Sequence, residues 1–148
     1  LREGLVDVIG TDHAPHLPAD KVGGSLKAAS GIPAIQFVLP AMLELSDQGI
    51  ITLPEVVEKM AHNPALLYKV KERGFIREGY HADLVLVNPH APHTVDTTEI
   101  ESKCGWSPLE GRTFDWKVEK TFCNGVLVYA DGSICPNAAL GERVTFDR

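Results

Sequence analysis

Apolar residues fall in continuous runs in the first half of the chain and in alternating stretches in the second half. Residues 5–11 form a short apolar run without alternation, which is typical of a buried strand in a parallel sheet. Residues 12–31 follow as a loop rich in glycine, proline and small side chains. A connection of this length indicates either a functional loop or a disordered one.

The next apolar run predicts a helix over residues 32–46. Its side chains are apolar on most sides, so we expect this helix to be largely buried. Pro33 suits a first helical turn, where the missing N–H has no partner to lose. Pro40 falls further along the same stretch, and it predicts a kink.

Residues 51–70 predict two further short helices. Thr52 and Glu55 have the spacing of a capping box, in which each side chain binds the backbone N–H of the other residue. The Asn-Pro pair at 63–64 is expected to restart the helix, because proline is favoured in a first turn. Gly74 ends the helical half.

After Gly74 the pattern indicates an antiparallel β module. A short strand is predicted before a turn at Glu78-Gly79, and a longer strand over 82–87. Residues 88–115 resemble loops, with many prolines, threonines and glycines. Asn124-Gly125 lies between two strand-like runs, which is typical of a type I′ hairpin turn. The pattern therefore predicts an α/β chain whose strand, loop and helices precede the β module.

Composition narrows the function classes. The formal net charge is −6 and no basic patch stands out, which argues against a nucleic-acid-binding protein. We expect no membrane span and no leader peptide, because no apolar run is long enough. The chain opens with Leu1 and an apparent strand, which favours a piece of a longer protein. Three cysteines without CxxC pairing indicate reduced thiols in a cytoplasmic protein: Cys104, Cys123 and Cys135.

The candidate chemistry lies directly after the first predicted strand. Asp12 would stand at the carboxyl end of that strand, which in α/β barrels is the face where active sites are built. Its carboxylate could bind a metal or accept a proton. His16 could face the same pocket, either as a hydrogen-bond donor to an anionic substrate group or as a metal ligand. An aspartate in this position also commonly caps a loop. From the residues alone, both interpretations stay open.

The segment Gly10-Thr11-Asp12-His13-Ala14-Pro15-His16, followed by Lys21, resembles the signature of dihydroorotases, cyclic amidohydrolases of the amidohydrolase superfamily. The resemblance is strongest to the bacterial type I branch, and it continues through GGSLKAASGIP, MAHNPALL, GFIREGYHADLVLV and CGWSPLEG. It implies the C-terminal part of a metal-dependent (β/α)8 barrel, including its last βα unit, over residues 1–73. Residues 74–148 would be part of an antiparallel β-sandwich.

The resemblance also assigns roles to individual residues. It implies that Asp12 ligates zinc in a centre that is binuclear in the full-length parent, and that it acts as general base and then general acid. His16 would bind the substrate carboxylate, and the backbone of Ser30 and Gly31 would also meet the substrate. The resemblance gives Lys21 no catalytic role, and we expect a solvated loop lysine there. His13 is expected to be structural.

The implied activity is the reversible, zinc-dependent cyclisation of N-carbamoyl-L-aspartate to L-dihydroorotate in pyrimidine biosynthesis. The family's other metal ligands, and the arginine and asparagine that bind substrate, come from segments absent from this chain, so we expect the isolated chain to be inactive. Two alternatives stay open: an allantoinase-like or hydantoinase-like enzyme, and a non-catalytic subunit supporting aspartate transcarbamoylase. A homodimer is a further candidate assembly.

The letters HAPH recur at residues 90–93, behind Pro89 instead of an aspartate. His90 and His93 have a spacing that could bind a metal ion, but we expect a solvated loop here. His62 and His81 are interpreted as structural residues. Three aromatic side chains are expected in the β-module core or at a domain interface: Trp106, Phe114 and Trp116.

Overall fold

The computed structural model describes residues 1, 3–136 and 141–147. Its helices are α1 (Val38–Asp47), α2 (Leu53–Val57) and α3 (Asn63–Leu67), with a π-helical turn at Glu58–His62 and 3-10 turns at Pro18–Lys21 and Thr97–Glu99. Its strands are β1 (Leu84–Asn88), β2 (His93–Thr94), β3 (Thr113–Phe114), β4 (Lys117–Cys123), β5 (Val126–Ala130) and β6 (Ser133–Ile134). The predicted α/β composition is confirmed.

The strands form two antiparallel sheets in the described part of the chain. The larger has the order β1-β4-β5-β6, and β2 pairs with β3 in a small second sheet within the stretch predicted to be loops. The predicted hairpin turn is confirmed: Asn124 and Gly125 have φ of 50° and 79°, and Cys123 pairs with Val126 beside them. The turn at Glu78-Gly79 forms, but the short strand expected before it is absent.

The tip of this hairpin is held by a polar cluster. The backbone N–H of Asn124 donates to Oδ1 of Asp83 at 2.8 Å, and Nη2 of Arg73 donates to Oδ1 of Asn124 at 2.8 Å. Arg73 also forms an ion pair with Asp83. Gly125 N–H donates to the carbonyl of Ala82 at 2.9 Å. The hairpin therefore docks onto the segment that leads from the helices into β1.

Helix α1 begins six positions later than predicted. Pro33 precedes it, and a turn at Phe37 with φ −113° and ψ 2° leads into the first helical residue, Val38. Pro40 is therefore the third residue of the helix and not an interior one. Because the first-turn N–H groups have no intrahelical acceptor, a proline fits there without a kink. The predicted kink at Pro40 is wrong for this reason.

The two short helices predicted after residue 51 are one continuous helical segment over 53–67. Its start is as predicted, since Thr52 N–H donates to Oε2 of Glu55 at 2.8 Å and Glu55 N–H donates to Oγ1 of Thr52 at 3.3 Å. The expected break at Asn63 is absent. The π-helical turn precedes it instead, with Asn63 N–H donating to the carbonyl of Glu58.

The predicted buried strand over 5–11 does not form. The segment runs extended but pairs with no strand among the described residues, and Leu5 is 79% exposed. Its backbone bonds go to the helical segment: Nζ of Lys59 donates to the carbonyl of Val6 at 2.6 Å, and Nδ2 of Asn63 donates to that of Asp7 at 2.8 Å. A strand needs a neighbour to complete its ladder, and the described chain offers none here.

Two apolar clusters form the core among the described residues, and helix α1 contributes to both. Met42 and Leu43 pack with residues of the 50–60 region in the first. In the second, Phe37, just before α1, packs with Val95 and Phe114, and Ala41 of α1 packs against them. The predicted core position of Phe114, which is 1% exposed, is confirmed. Helix α1 therefore connects the helical half to the β module.

Two further observations concern the described residues as a set. None of their helices is both long enough and apolar enough to cross a bilayer. The three cysteines are free thiols, of which Cys104 is buried.

Candidate active site

Asp12 stands directly after the extended segment in an uncommon backbone conformation. Its φ is +43°, in the left-handed region that aspartate adopts more readily than most residues. Its side chain is exposed and makes no hydrogen bond or ion pair within the described ranges. The carboxylate is therefore not the loop cap that the sequence left open, and it is available to a ligand.

The loop that begins at Asp12 is closed at its base. His13 and Ile32 form a parallel bridge, and Ala14 N–H donates to the carbonyl of Ile32 at 2.9 Å. Nδ1 of His13 accepts from the backbone N–H of Ile35 at 3.3 Å. His13 therefore has the structural role expected for it. The bridge also brings the two predicted parts of the site, Asp12 to His16 and Ser30–Gly31, to the same base.

Gly31 makes the closest approach across this base. Its φ is +92°, and a Cβ placed on it would lie 2.6 Å from the Cβ of Ala14. Only glycine permits this conformation and this contact together. Ser30 and Gly31 are both exposed beside the first half of the loop.

His16 is exposed on the same loop. Its carbonyl accepts a hydrogen bond from Nε1 of Trp106 at 2.8 Å, which leaves the imidazole free of a partner within the residues that the structure describes. An exposed imidazole on the same loop as an exposed carboxylate can donate to an anion while the carboxylate binds a cation or a proton. Trp106 therefore joins this loop to the 104–111 segment.

Lys21 is not the solvated lysine that was expected. It is half-buried, and its Nζ donates to the carbonyls of Ala29 and Gly31, both at 2.5 Å. The ammonium also lies 5.8 Å from the centroid of the Trp106 ring. The loop folds back on itself, so a lysine that looks solvated in sequence meets carbonyls eight and ten residues further on.

The described residues supply one candidate metal ligand at this site. Asp12 offers the free carboxylate oxygens that a zinc ion accepts as ligands. No group of three or more metal-binding side chains is found in the described ranges. Asp12 therefore fits a zinc centre only as one ligand of a larger set.

The second HAPH is not a solvated loop throughout. His93 lies on β2, where its Nε2 is 2.6 Å from Oε2 of Glu99 and both side chains are about 30% exposed or less. His90 is exposed, as expected.

His62 stacks on Phe75 with ring centroids 4.3 Å apart, which confirms its packing role. Trp116 is half-buried and donates from Nε1 to Asp47 at 2.5 Å.

Comparison with known proteins decides the family. The model of the amidohydrolase family matches residues 1–128. The chain belongs to the amidohydrolase family. It is 36% identical over 132 residues to a dihydroorotase of Clostridium acetobutylicum, covering 88% of this chain and 31% of that protein. It is 34% identical over 139 residues to a dihydroorotase of Pyrococcus furiosus, covering 94% of this chain and 32% of that protein. These matches confirm the resemblance to dihydroorotases.

The fold is shared with solved amidohydrolase structures. An L-hydantoinase (dihydropyrimidinase) from Arthrobacter aurescens superposes with a TM-score of 0.89 at 28% identity, over 97% of this chain and 33% of that chain. A dihydropyrimidinase from Brevibacillus agri superposes with a TM-score of 0.85 at 24% identity, over 99% and 34%. The chain thus spans about a third of the length of the relatives that it matches.

Two residues that contact the loop were missed by sequence reasoning. Lys21 belongs to the signature segment, and its sequence spacing from His16 was the available signal that it contacts the rest of the loop. Trp106 lies in the quoted segment CGWSPLEG, where a tryptophan flanked by glycine, serine and proline in a polar stretch is unusual for a core position. Neither signal identifies the acceptor carbonyls, which only the folded loop defines.

Proposed function

We propose that the full-length protein containing this chain is a dihydroorotase, which interconverts N-carbamoyl-L-aspartate and L-dihydroorotate in pyrimidine biosynthesis. The observation that carries the proposal is the pairing of two exposed side chains on one closed loop: the free carboxylate of Asp12 and the free imidazole of His16. The similarity to dihydroorotases supports the choice of reaction.

In this proposal the residues of the loop divide the chemistry among them. Asp12 would hold zinc through its carboxylate, and that carboxylate takes a proton from the attacking water and delivers it to the leaving ring nitrogen. His16 donates a hydrogen bond to the substrate carboxylate. The backbone of Ser30 and Gly31 lies against the substrate, where the absence of a Cβ at Gly31 permits close approach. Zinc supplies a Lewis acid that polarises the amide and makes water a stronger acid.

The proposed architecture follows the same relatives. Residues 1–73 would complete a (β/α)8 barrel, with the extended segment over 5–11 as its last strand. Residues 74–148 would contribute to a β-sandwich. The exposure of Leu5 and Val6, at 79% and 41%, supports a neighbouring strand from the rest of the barrel. The zinc centre would be binuclear. The protein would be cytoplasmic, and it would assemble as a homodimer or associate with aspartate transcarbamoylase.

The experiment is turnover of dihydroorotate by the zinc-loaded full-length protein and by its Asp12→Asn variant. Asparagine keeps the shape of the side chain but cannot carry the proton, so kcat should fall by about 10³-fold. Asp7→Asn is the matched control, because Asp7 is exposed on the same segment and only its carbonyl makes a contact. It should stay within about twofold of wild type.

Two results would contradict the proposal: an inactive wild-type protein, or an Asp12→Asn variant that retains wild-type turnover. The isolated 148-residue chain is expected to show no turnover, since no group of three or more metal-binding side chains is found among its described residues. Turnover by that chain would contradict the proposed division of the zinc site.

A hydantoinase-like activity is the second candidate, and the fold similarity to an L-hydantoinase favours it. His16 distinguishes the two, because dihydroorotate carries a carboxylate for the imidazole to bind and hydantoin does not. Turnover of dihydroorotate, hydantoin and allantoin by the full-length protein should be compared, with His16→Asn as the variant. A dihydroorotase should lose affinity for dihydroorotate, whereas hydantoin turnover would change little.

A further inference from the structure

We propose that Lys21 is a positioning residue, which fixes the distance between His16 and the Ser30–Gly31 backbone. The inference rests on the proposed function and extends it to a residue outside the assigned site. Lys21 follows His16 by five positions and reaches across the loop to the carbonyls of Ala29 and Gly31, which flank Ser30 on both sides. One ammonium thus ties the two halves of the substrate-binding loop together.

The backbone around Lys21 makes this tie rigid. Lys21 ends the 3-10 turn Pro18–Lys21, and Oδ2 of Asp20 accepts from Leu17 N–H at 3.1 Å across that turn. The carbonyl of Asp20 accepts from Ala29 N–H at 2.9 Å. The turn therefore holds Ala29 through both its N–H and its carbonyl. Hydrogen bonds from a charged donor are stronger than neutral ones, so the Lys21 contacts dominate this connection.

Trp106 fixes the other half of the loop. Its Nε1 donates to the carbonyl of His16, and the Lys21 ammonium lies over its ring, within the range of a cation–π contact. The same indole therefore contacts the residue that binds substrate and the residue that positions it. The imidazole of His16 is left free while its backbone is held. In this arrangement the backbone of His16 is fixed, and its imidazole remains free to bind a substrate.

The test uses the zinc-loaded full-length protein with Lys21→Met, Lys21→Arg and the matched control Lys27→Met. Lys27 is exposed on the same loop and its side chain has no partner among the described residues. Lys21→Met should raise KM for dihydroorotate by about tenfold or more, with kcat changed by less than about threefold, because Asp12 itself is not displaced. Lys21→Arg should recover most of the affinity, since a guanidinium also carries several donors.

A second readout is amide hydrogen exchange over residues 28–34. Lys21→Met should increase the exchange rate of these amides, whereas Lys27→Met should leave it unchanged. Trp106→Phe keeps an aromatic ring but removes the indole N–H, and it should also raise KM, by a smaller factor. Binding and exchange must change together for a positioning role.

The outcomes separate this inference from the proposed function. If wild type is inactive on dihydroorotate, the proposed function fails, and the positioning role for that substrate fails with it. If wild type is active and Lys21→Met matches Lys27→Met in KM, the positioning role alone is overturned. Faster exchange with unchanged KM also overturns it, because Lys21 would then stabilise the loop without positioning substrate.

Discussion

At the scale of single residues, the candidate site depends on side chains whose partners are backbone groups. The carbonyls of residues 16, 29 and 31 accept hydrogen bonds from Trp106 and Lys21, so these groups are satisfied without using the exposed side chains. Asp12 and His16 remain available for chemistry because other residues hold the loop. Under the proposed function, loop stability and substrate chemistry would therefore fall to different side chains of one short segment.

Gly31 gives a prediction at this scale. Gly31→Ala places a methyl group 2.6 Å from Ala14 Cβ at a left-handed φ, and Gly24→Ala is a matched control with positive φ but nothing within 4 Å. The left-handed backbone costs about 1–2 kcal/mol in both. The steric contact should lower the free energy of unfolding by about 1–3 kcal/mol more for Gly31→Ala. Urea titration of the 148-residue chain measures the difference, and equal losses would contradict the contact.

At the scale of elements, the hairpin β4–β5 is attached to the chain through Asp83. Burial alone would raise the pKa of this carboxyl, but hydrogen bonds from Asn124 N–H and Arg73, together with the Arg73 charge, outweigh it and lower the pKa below 3.8. A lowered folded-state pKa means that the ionised carboxylate stabilises the folded protein. This contribution is fully present well above the ordinary pKa of an aspartate and is lost as the pH falls through the lower folded pKa.

The corresponding prediction concerns acid stability. Between pH 6 and pH 2.5 the free energy of unfolding of wild type should fall more steeply than that of Asp83→Asn, because asparagine has no proton to gain. Asp131→Asn is a suitable control, since Asp131 is an exposed turn residue of the same sheet. Parallel pH slopes for wild type and Asp83→Asn would contradict the assignment.

Prediction from sequence succeeded where short-range chemistry decides the structure. The Thr52–Glu55 capping box and the Asn124-Gly125 turn each depend on residues within a few positions, and both formed as expected. The strand over 5–11 failed because a strand is completed by a neighbour that this segment does not have here. The predictions of solvated side chains at Lys21 and His93 were wrong for a related reason. Each side chain binds a group that only the folded loop brings close, namely the carbonyls of residues 29 and 31 for Lys21 and the Glu99 carboxylate for His93.

At the scale of the whole molecule, the two apolar clusters share helix α1 and should unfold together. Leu43→Ala, in the first cluster, should cost about 2–5 kcal/mol, and Phe114→Ala, in the second, about 3–5 kcal/mol. Leu26→Ala is the control, since Leu26 is 99% exposed. Circular dichroism and tryptophan fluorescence should report one coincident transition in each variant. Separate transitions would mean that α1 does not couple the clusters.

The bonds that Lys59 and Asn63 make to the carbonyls of Val6 and Asp7 have a consequence for the order of folding. They span 53 and 56 positions, whereas the capping and helical bonds around them are local. Contacts between distant positions require a large loop to close first, which slows their formation. The helical segment should therefore form early and then capture the extended segment. During synthesis, the loop that bears Asp12 would take its final shape only after the helices that follow it have emerged.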